Sequence, residues 1–406
     1  MSERLKIAAV GCGGIGLRHQ QGYMQCPEAD LVAVCDIDGA KAKARAQELG
    51  ISNWYSSIAE MLDNEECQAV DVVTPDHLHF EPVMECLEAG KHVQCEKPLS
   101  LTIRGCNRVI DAWKRSGKIL SVAEQERRDP MCRLNKAVLD SGVIGDPYSI
   151  LWGSAGGGKE IIILPWRHYK NIGGIFVDAG VHTVDQMMYY LGDIEEVFAV
   201  SKLWEPKRYR GERIGVSDFY DHWKDEVPNE IDADAEDMVI STLKFKNGAI
   251  GQWTSFYAAH GQTTQYGMIY GSKGSITPAK NRRGDQLTVT IDSVGTITGD
   301  EVLELVPDFH LDELPARLFG SDKLGSYNRP IGDSDRFLVA LEYYELGQCI
   351  ADGTMPEVDA YTGRKDLAVC NAALESSVLG RPVTIEEIES EETAQYEASI
   401  NDHWNI

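Results

Sequence analysis

Gly11-Cys12-Gly13-Gly14-Ile15-Gly16 follows an apolar run, Ile7 to Val10, and opens into a helix-forming stretch. Strand, glycine loop and helix in that order form a pyrophosphate cradle. Gly11 permits the tight turn, Gly13 lets the backbone approach the phosphates, and Gly16 lets helix pack on strand. The free N–H groups of the helix start then face the anion. Asp36 ends the second apolar run 20 residues after Gly16, the spacing of a carboxylate that accepts from ribose hydroxyls. A carboxylate also repels a 2′-phosphate, and Asp38 adds to that, so NAD is expected over NADP. The other reading is that Asp36 only ends a strand.

Two further groups carry possible chemistry. Glu96-Lys97-Pro98 follows another strand-like run, where the carboxyl ends of parallel strands line a ligand crevice. A lysine there donates to a substrate hydroxyl, or is an ordinary surface charge. Farther along, Gly173-Gly174 precedes a helical pattern over Ile175 to Leu191. Asp178, His182 and Asp185 share one face at i, i+4 and i+7 among Phe176, Ala179, Val184, Met187 and Met188. A polar stripe on a buried helix needs partners or a cavity. It is a catalytic face, a set of satisfied hydrogen bonds, or part of a metal shell. No further ligand cluster completes a shell, so no metal is expected.

The elements that must position these groups are legible in outline. Ile7 to Val10, Leu31 to Cys35, Ala69 to Val73, His92 to Cys95 and Ile119 to Ala123 read as strands buried on both faces, with helical stretches between them. That predicts a doubly wound parallel α/β sheet over residues 1–126. Segments 148–152, 197–203, 239–245, 249–256, 265–270 and 287–291 read as strands. Asn247-Gly248 supplies a hairpin turn. Residues 127–385 are therefore expected to form an α+β domain with an open, mainly antiparallel sheet for substrate binding and oligomerisation. Residues 204–236 and 300–333 are polar and weakly periodic, and read as insertions or arms. Residues 386–406, with five glutamates from Glu386 to Glu392, read as an acidic solvated extension.

Composition narrows the function classes. The 406 residues carry a formal charge of −25, which argues against broad binding to nucleic-acid backbones. The ten cysteines show no C-x-x-C pair and several lie in apolar runs, as free thiols do in a reducing cytosol. No apolar run is long enough to span a bilayer. A cytoplasmic protein without a membrane or nucleic-acid partner is expected.

Taken together the motifs resemble the glucose-fructose oxidoreductase and inositol dehydrogenase family (Gfo/Idh/MocA). The resemblance runs through Gly11 to Gly16, Thr74-Pro75-Asp76-His77-Leu78-His79, Ala89-Gly90-Lys91-His92-Val93, Glu96-Lys97-Pro98, Gly142 to Pro147, the helix with Asp178 and His182, and Gly380-Arg381-Pro382-Val383. It implies a nicotinamide cofactor and a sugar or cyclitol substrate. It also implies a catalytic group of Lys97, Asp178 and His182, with Thr74, Pro75, His79, Glu96 and Lys97 near the cofactor beside Gly11, Gly13, Gly14, Ile15, Gly16 and Asp36. Asp76 stands where many relatives have Asn, and the glycine triplet before the helix is only a pair.

On that frame His182 serves as general base, Asp178 orients the ring or shares the proton, and Lys97 donates to the reacting oxygen. Trp166-Arg167-His168 just before the helix and Gln125-Glu126-Arg127 after the last parallel strand are expected at the pocket. Gln125 is assigned to the cofactor, and Arg127, Trp166 and Arg167 to the substrate. Trp152, Trp253 and Tyr257 on sheet strands are core or sugar-facing. Lys207, Arg208, Arg210 and Arg213 form a solvated loop or attract an acidic sugar.

An NAD-dependent dehydrogenase acting on a secondary hydroxyl of a sugar, glycoside or cyclitol leads. The alternatives are an NAD-assisted glycoside hydrolase that oxidises transiently, and a non-catalytic NAD-binding regulator. A homo-oligomer, dimer or tetramer, is expected, because an open sheet leaves one face to be covered.

Overall fold

The computed structural model describes residues 4–212, 223–280 and 282–406. The chain divides into two compact units. The first comprises residues 1–125, 332–364 and 406, and the second residues 126–331 and 365–405.

In the first unit six strands form one parallel sheet in the order β3-β2-β1-β4-β5-β6. They are β1 (Leu5–Val10), β2 (Ala29–Cys35), β3 (Asn53–Tyr55), β4 (Ala69–Val72), β5 (His92–Glu96) and β6 (Leu120–Ala123). Helices α1 (Gly14–Tyr23), α2 (Gly39–Leu49), α3 (Ile58–Asn64), α4 (Phe80–Glu88) and α5 (Ile103–Ser116) connect them. Ile7, Ala9, Val70, Val72, Val93 and Leu120 are fully buried, as strands covered on both faces must be. The strand β3 has no counterpart in the apolar pattern. It is a three-residue edge strand whose Asn53 and Trp54 are exposed.

Residues 332–364 fold with the first unit rather than continuing the second. In the long helix Ile331–Asp352, Val339 packs where a Cβ on Gly22 would sit, and Tyr343 stacks on Tyr23 at 3.8 Å. Beyond it, Val358 accepts from the Val122 N–H beside β6. The expectation of one continuous second domain over 127–385 is corrected by this return.

The second unit holds a nine-stranded sheet in the order β16-β15-β14-β13-β7-β12-β11-β8-β17. Its elements are α6 (Pro130–Asp140), β7 (Pro147–Gly157), α7 (Ile175–Leu191), β8 (Ile194–Lys202), β9 (Lys207–Tyr209), β10 (Glu230–Asp232), β11 (Met238–Phe245), β12 (Ile250–Ala259), β13 (Thr264–Gly271), β14 (Gly274–Thr277), β15 (Thr288–Ile291), β16 (Gly295–Thr298) and β17 (Val383–Thr384). Only β7 and β12 pair in parallel; the other neighbours are antiparallel. Trp253 on β12 is a core residue, 1% exposed and stacked on Phe176 of α7 at 4.8 Å.

Most described residues of the regions read as arms and tail belong to the second unit. The ribbon β9–β10 carries Arg208, which is fully buried. Its guanidinium donates to the carbonyls of Gly158, Glu160 and Tyr257 and pairs with Asp237 at 2.8 Å. Lys207 pairs with Asp232, and Arg210 bonds the Val227 carbonyl. The described part of this segment is thus a stapled ribbon rather than a solvated basic loop. Arg213 lies outside the described residues. The other arm includes the helix Glu313–Phe319.

The tail likewise folds, correcting the expected solvated extension. Thr384 and Glu387 form a capping box for the helix Ile385–Glu389, and Glu375 accepts from Gln395 and Tyr396 at the start of the helix Gln395–Trp404. Ile385, Ile388, Tyr396 and Ile400 are buried.

Candidate active site

The glycine loop has the geometry of a dinucleotide cradle. Gly11 sits at φ +110°, and a Cβ there would lie 2.5 Å from the Val73 carbonyl oxygen. A Cβ on Gly16 would lie 2.3 Å from the Gly11 oxygen. These two glycines are demanded by the close approach of helix and strand. Gly13, the N-cap of α1, is different: it is exposed, and among the described residues no atom lies within 4 Å of its Cβ position. That open space is what a pyrophosphate approaching the backbone needs. Gly14 and Ile15 form the first turn behind it.

Asp36 stands beside this loop. Its Oδ2 accepts the Cys12 N–H at 2.8 Å and its Oδ1 the Asp38 N–H at 2.9 Å. The carboxylate is therefore oriented by the loop itself, and its remaining lone pairs stay available to a ribose diol. The Gly11 carbonyl is also held by Gln20, which is in turn held by Arg45. Sequence reading did not find this support, because a glutamine inside a helix carries no signal of its own.

The turns that follow β4 and β5 are tied together by His79. Its Nδ1 lies 2.7 Å from the Pro98 carbonyl and its Nε2 2.8 Å from the Thr74 carbonyl. Burial draws its pKa below the ordinary imidazole value. Thr74 also bonds the Leu78 carbonyl, and Pro75 is exposed. Glu96 and Lys97 are buried at the end of β5, and Glu96 Oε2 accepts the Lys97 N–H at 2.9 Å. Gln125, at the end of the unit, is 9% exposed, and its side-chain oxygen meets no donor among the described residues. Glycine cradle, oriented acid and this buried amide oxygen suit a bound dinucleotide.

In the second unit α7 spans the residues the periodicity predicted. Gly173 at φ +136° and Gly174 at φ +71° bring the chain into it from a conformation that other residues rarely adopt. Each buried carboxylate of its polar stripe has an arginine. Arg167 Nε donates to Asp178 Oδ2 at 2.6 Å, with its guanidinium 4.3 Å from the Trp166 ring. Arg127 holds Asp185 through two nitrogens and lies 5.2 Å from the Tyr189 ring. Trp166, Arg167 and Asp178 are thus brought together, while the Arg127 guanidinium is engaged by Asp185. His182 is half-buried one turn after Asp178.

The preceding turn is fixed by His168, whose Nε2 accepts the Ile162 N–H at 2.9 Å. Burial, with Arg208 and Arg167 nearby, draws its pKa down to about 3, so the ring is neutral. The arm over 300–333 reaches the same unit's polar centre. Tyr327 donates to Asp129 at 2.7 Å, and Arg282, before the arm, pairs with Glu126 at 3.3 Å. Neither partner was legible in sequence, since each lies far along the chain from the group it meets. Among the described residues no cluster of His, Cys, Asp and Glu could hold a metal. Nor is any helix there long and apolar enough to cross a membrane.

A glycine loop between strand and helix, with an acid at the second strand, defines the first unit as a dinucleotide-binding domain of the oxidoreductase kind. Residues 5–124 match the oxidoreductase family with NAD-binding Rossmann fold, and residues 133–277 match the GFO/IDH/MocA C-terminal domain. The chain belongs to the Gfo/Idh/MocA family of NAD-binding oxidoreductases.

Levoglucosan dehydrogenase of Pseudarthrobacter phenanthrenivorans is 29% identical over 72% of this chain and 77% of that protein. Myo-inositol 2-dehydrogenase of Thermotoga maritima is 29% identical over 67% and 74%. A solved levoglucosan dehydrogenase in complex with NADH and levoglucosan aligns with a TM-score of 0.76 at 26% identity. It covers 94% of this chain and 100% of that one.

Proposed function

We propose that the protein oxidises a secondary hydroxyl of a ring polyol, a sugar, glycoside or cyclitol, with Lys97, Asp178 and His182 as its catalytic residues. The observation that carries the reading is its kinship with dehydrogenases acting on levoglucosan and myo-inositol. Bound NAD supplies the hydride acceptor. His182 takes the hydroxyl proton, an imidazole being matched to neutral pH. Asp178, paired with Arg167, orients that ring and stabilises its charged form. Lys97 donates to the reacting oxygen and offsets negative charge developing there. Trp166 offers an aromatic face to sugar C–H groups, and Thr74, Pro75, His79 and Gln125 line the cofactor side.

The test is a panel of levoglucosan, inositols and glucosides, scored for NADH formation and for glycoside cleavage. NADH from at least one ring polyol, lost in Lys97→Met with NAD binding retained, supports the reading. Cleavage without net NADH replaces it by the NAD-assisted hydrolase.

We also propose a cytoplasmic homo-oligomer. All ten cysteines are free and buried. On the second unit's sheet Phe198, Val200 and Ile240 are 44%, 56% and 47% exposed, with Val200 and Ile240 directly paired across β8 and β11. An apolar patch of this kind suits a second copy. Light scattering tests it: a monodisperse monomer of the parent at micromolar concentration would refute it.

A further inference from the structure

Three residues beyond Gly16, α1 carries His19, which is 2% exposed and has no part in the roles assigned so far. Its two ring nitrogens face two different carboxylates. Nδ1 lies 3.1 Å from Asp71 Oδ2 on β4, and Nε2 lies 2.9 Å from Glu96 Oε1 on β5. The Tyr343 hydroxyl donates to the same Asp71 oxygen at 2.7 Å and lies 2.9 Å from Nδ1. Tyr23, on α1, stacks against Tyr343.

A neutral imidazole has one N–H and one lone pair. Set between two carboxylates, and with the single Tyr343 hydroxyl proton given to Asp71, it would oppose lone pair to lone pair on one side. Only the doubly protonated ring donates to both. Burial is the largest influence on this group and opposes charge, yet the charges and hydrogen bonds of Asp71 and Glu96 outweigh it and raise the pKa to about 10. The other titratable neighbours, Tyr23, Tyr343 and Cys95, are held neutral by burial. The cluster thus places an imidazolium between the side chains of Asp71 and Glu96.

Glu96 is the link outward. Its Oε1 is held by His19, and its Oε2 accepts the backbone N–H of Lys97 at 2.9 Å. We propose that His19 is a positioning residue for Lys97: an imidazolium, wedged between Asp71 and Glu96, that locks the Glu96 carboxylate and with it the backbone bearing Lys97. It couples the helix that opens the dinucleotide loop to the lysine at the reacting oxygen. The inference rests on the catalytic reading of Lys97 given above. Without the imidazolium, Glu96 Oε1 loses its buried donor. The Glu96 carboxylate is then free to turn, and the backbone that aims Lys97 at the substrate oxygen loses its anchor.

The full chain is compared with His19→Gln. In the parent, long-range ¹H–¹⁵N spectra of histidine-labelled protein at about pH 8.5 should show both His19 nitrogens protonated, the ring being identified by its contacts to Tyr343. Competitive acylation read by mass spectrometry should show the Lys97 amine titrating about 0.5–1 unit higher in His19→Gln, because the neighbouring Glu96 carboxylate then lacks the imidazolium that balanced it. With a polyol that yields NADH, kcat should fall about ten- to a hundredfold. The NAD dissociation constant should stay within about threefold. Restoring charge balance with His19→Gln/Glu96→Gln should bring the Lys97 titration back toward the parent.

A neutral His19 in the parent at that pH overturns the proposal, and needs no variant to fold. So does an unchanged Lys97 titration in a folded His19→Gln. The spectra and the labelling use no substrate. Failure to form NADH from any polyol would therefore sink the catalytic reading while those two results still decide the role of His19.

Discussion

Two buried histidines, one in each unit, show how differently the same side chain is used. His19 lies between Asp71 and Glu96 and is held charged, with a pKa raised to about 10. His168 accepts a backbone N–H, has arginines nearby, and is held neutral with a pKa lowered to about 3. Both are closed off from water, so burial acts on them in the same direction. The sign of the neighbouring charge decides the outcome. The same contrast runs through the candidate site. In the first unit two carboxylates share one titratable cation. In the second, Asp178 and Asp185 each have an arginine, which does not titrate in the working range. On the proposed reading, proton transfer on α7 falls to His182, whereas the first unit keeps its charges as fixed scaffolding.

The sharpest way to break that contrast is at His182. His182→Ala should lower the chemical step by about 10²–10⁴-fold, the worth of a positioned base. Asp178→Asn should cost less if the carboxylate only orients the ring. The double variant should cost much less than the two separate losses combined, since members of one unit are non-additive. The measurement is single-turnover NADH formation with deuterium on the reacting carbon. Additive losses would show that the two residues do not act as one unit.

Arg208 gives the next largest effect, this time on stability. Replacing it with Met leaves Asp237, 1% exposed, as a buried carboxylate without its partner. Breaking such a pair costs about 3–5 kcal/mol, visible as a large drop in thermal midpoint. Neighbouring Lys207, whose side chain is 55% exposed, pairs with Asp232 in water, and Lys207→Ala should leave the midpoint unchanged. Equal effects at the two positions would mean that the ribbon is not stapled as described.

That pair also shows where sequence reading succeeds and where it stops. The parallel sheet was legible because strands buried on both faces read as unbroken apolar runs. The helix Ile175–Leu191 was legible because its polar stripe stands out from its apolar surroundings. The glycine loop and Asp36 were legible because turn, approach and acid keep a fixed spacing. Arg208 was not, because its partners come from positions 158, 160, 237 and 257, and nothing local distinguishes it from Lys207. The return of residues 332–364 was hidden for the same reason, since Tyr343 meets Asp71 across 272 positions. In the tail, the glutamates masked the helical spacing of Ile385 and Ile388. The arginine partners of Asp178 and Asp185 lay near the helix in the predicted pocket, yet which arginine meets which acid is a tertiary fact.

The two histidines should also leave opposite marks on stability against pH. For His19 the folded pKa, about 10, lies above the ordinary 6.5. Its contribution is complete below about pH 6.5 and is lost as pH rises toward 10. For His168 the folded pKa, about 3, lies below 6.5, so the unfolded chain takes the proton first. Its contribution is complete above about pH 6.5 and is lost as pH falls toward 3. Thermal midpoints across pH should therefore flatten on the alkaline side in His19→Gln and on the acid side in His168→Gln. Asp129, pushed up to about 6 by burial, works against the acid limb between 3.8 and 6. Each variant is accordingly read as a difference from the parent. A variant that flattens the wrong limb would reverse the assignment of its charge.

The smallest stability effect separates glycines kept for shape from one kept for a ligand. In the second unit Gly174 sits at φ +71° with the Ala235 side chain 3.3 Å from its Cβ position, so Gly174→Ala should destabilise the fold by backbone strain alone. In the first unit Gly13 has φ −73° and open space where a Cβ would go. Two opposing terms act there on Gly13→Ala. Reduced freedom of the unfolded chain stabilises by about 0.4–1 kcal/mol, and a poorer N-cap destabilises by a similar amount. The net change should lie within about 1 kcal/mol, leaving the thermal midpoint nearly unmoved. A methyl group at that point nonetheless stands where the backbone must meet a pyrophosphate. NAD binding, followed by calorimetry, should weaken by about tenfold or more, equivalent to about 1.4 kcal/mol. A folded Gly13→Ala protein that binds NAD like the parent would show that the open side of the loop is not where the phosphates lie.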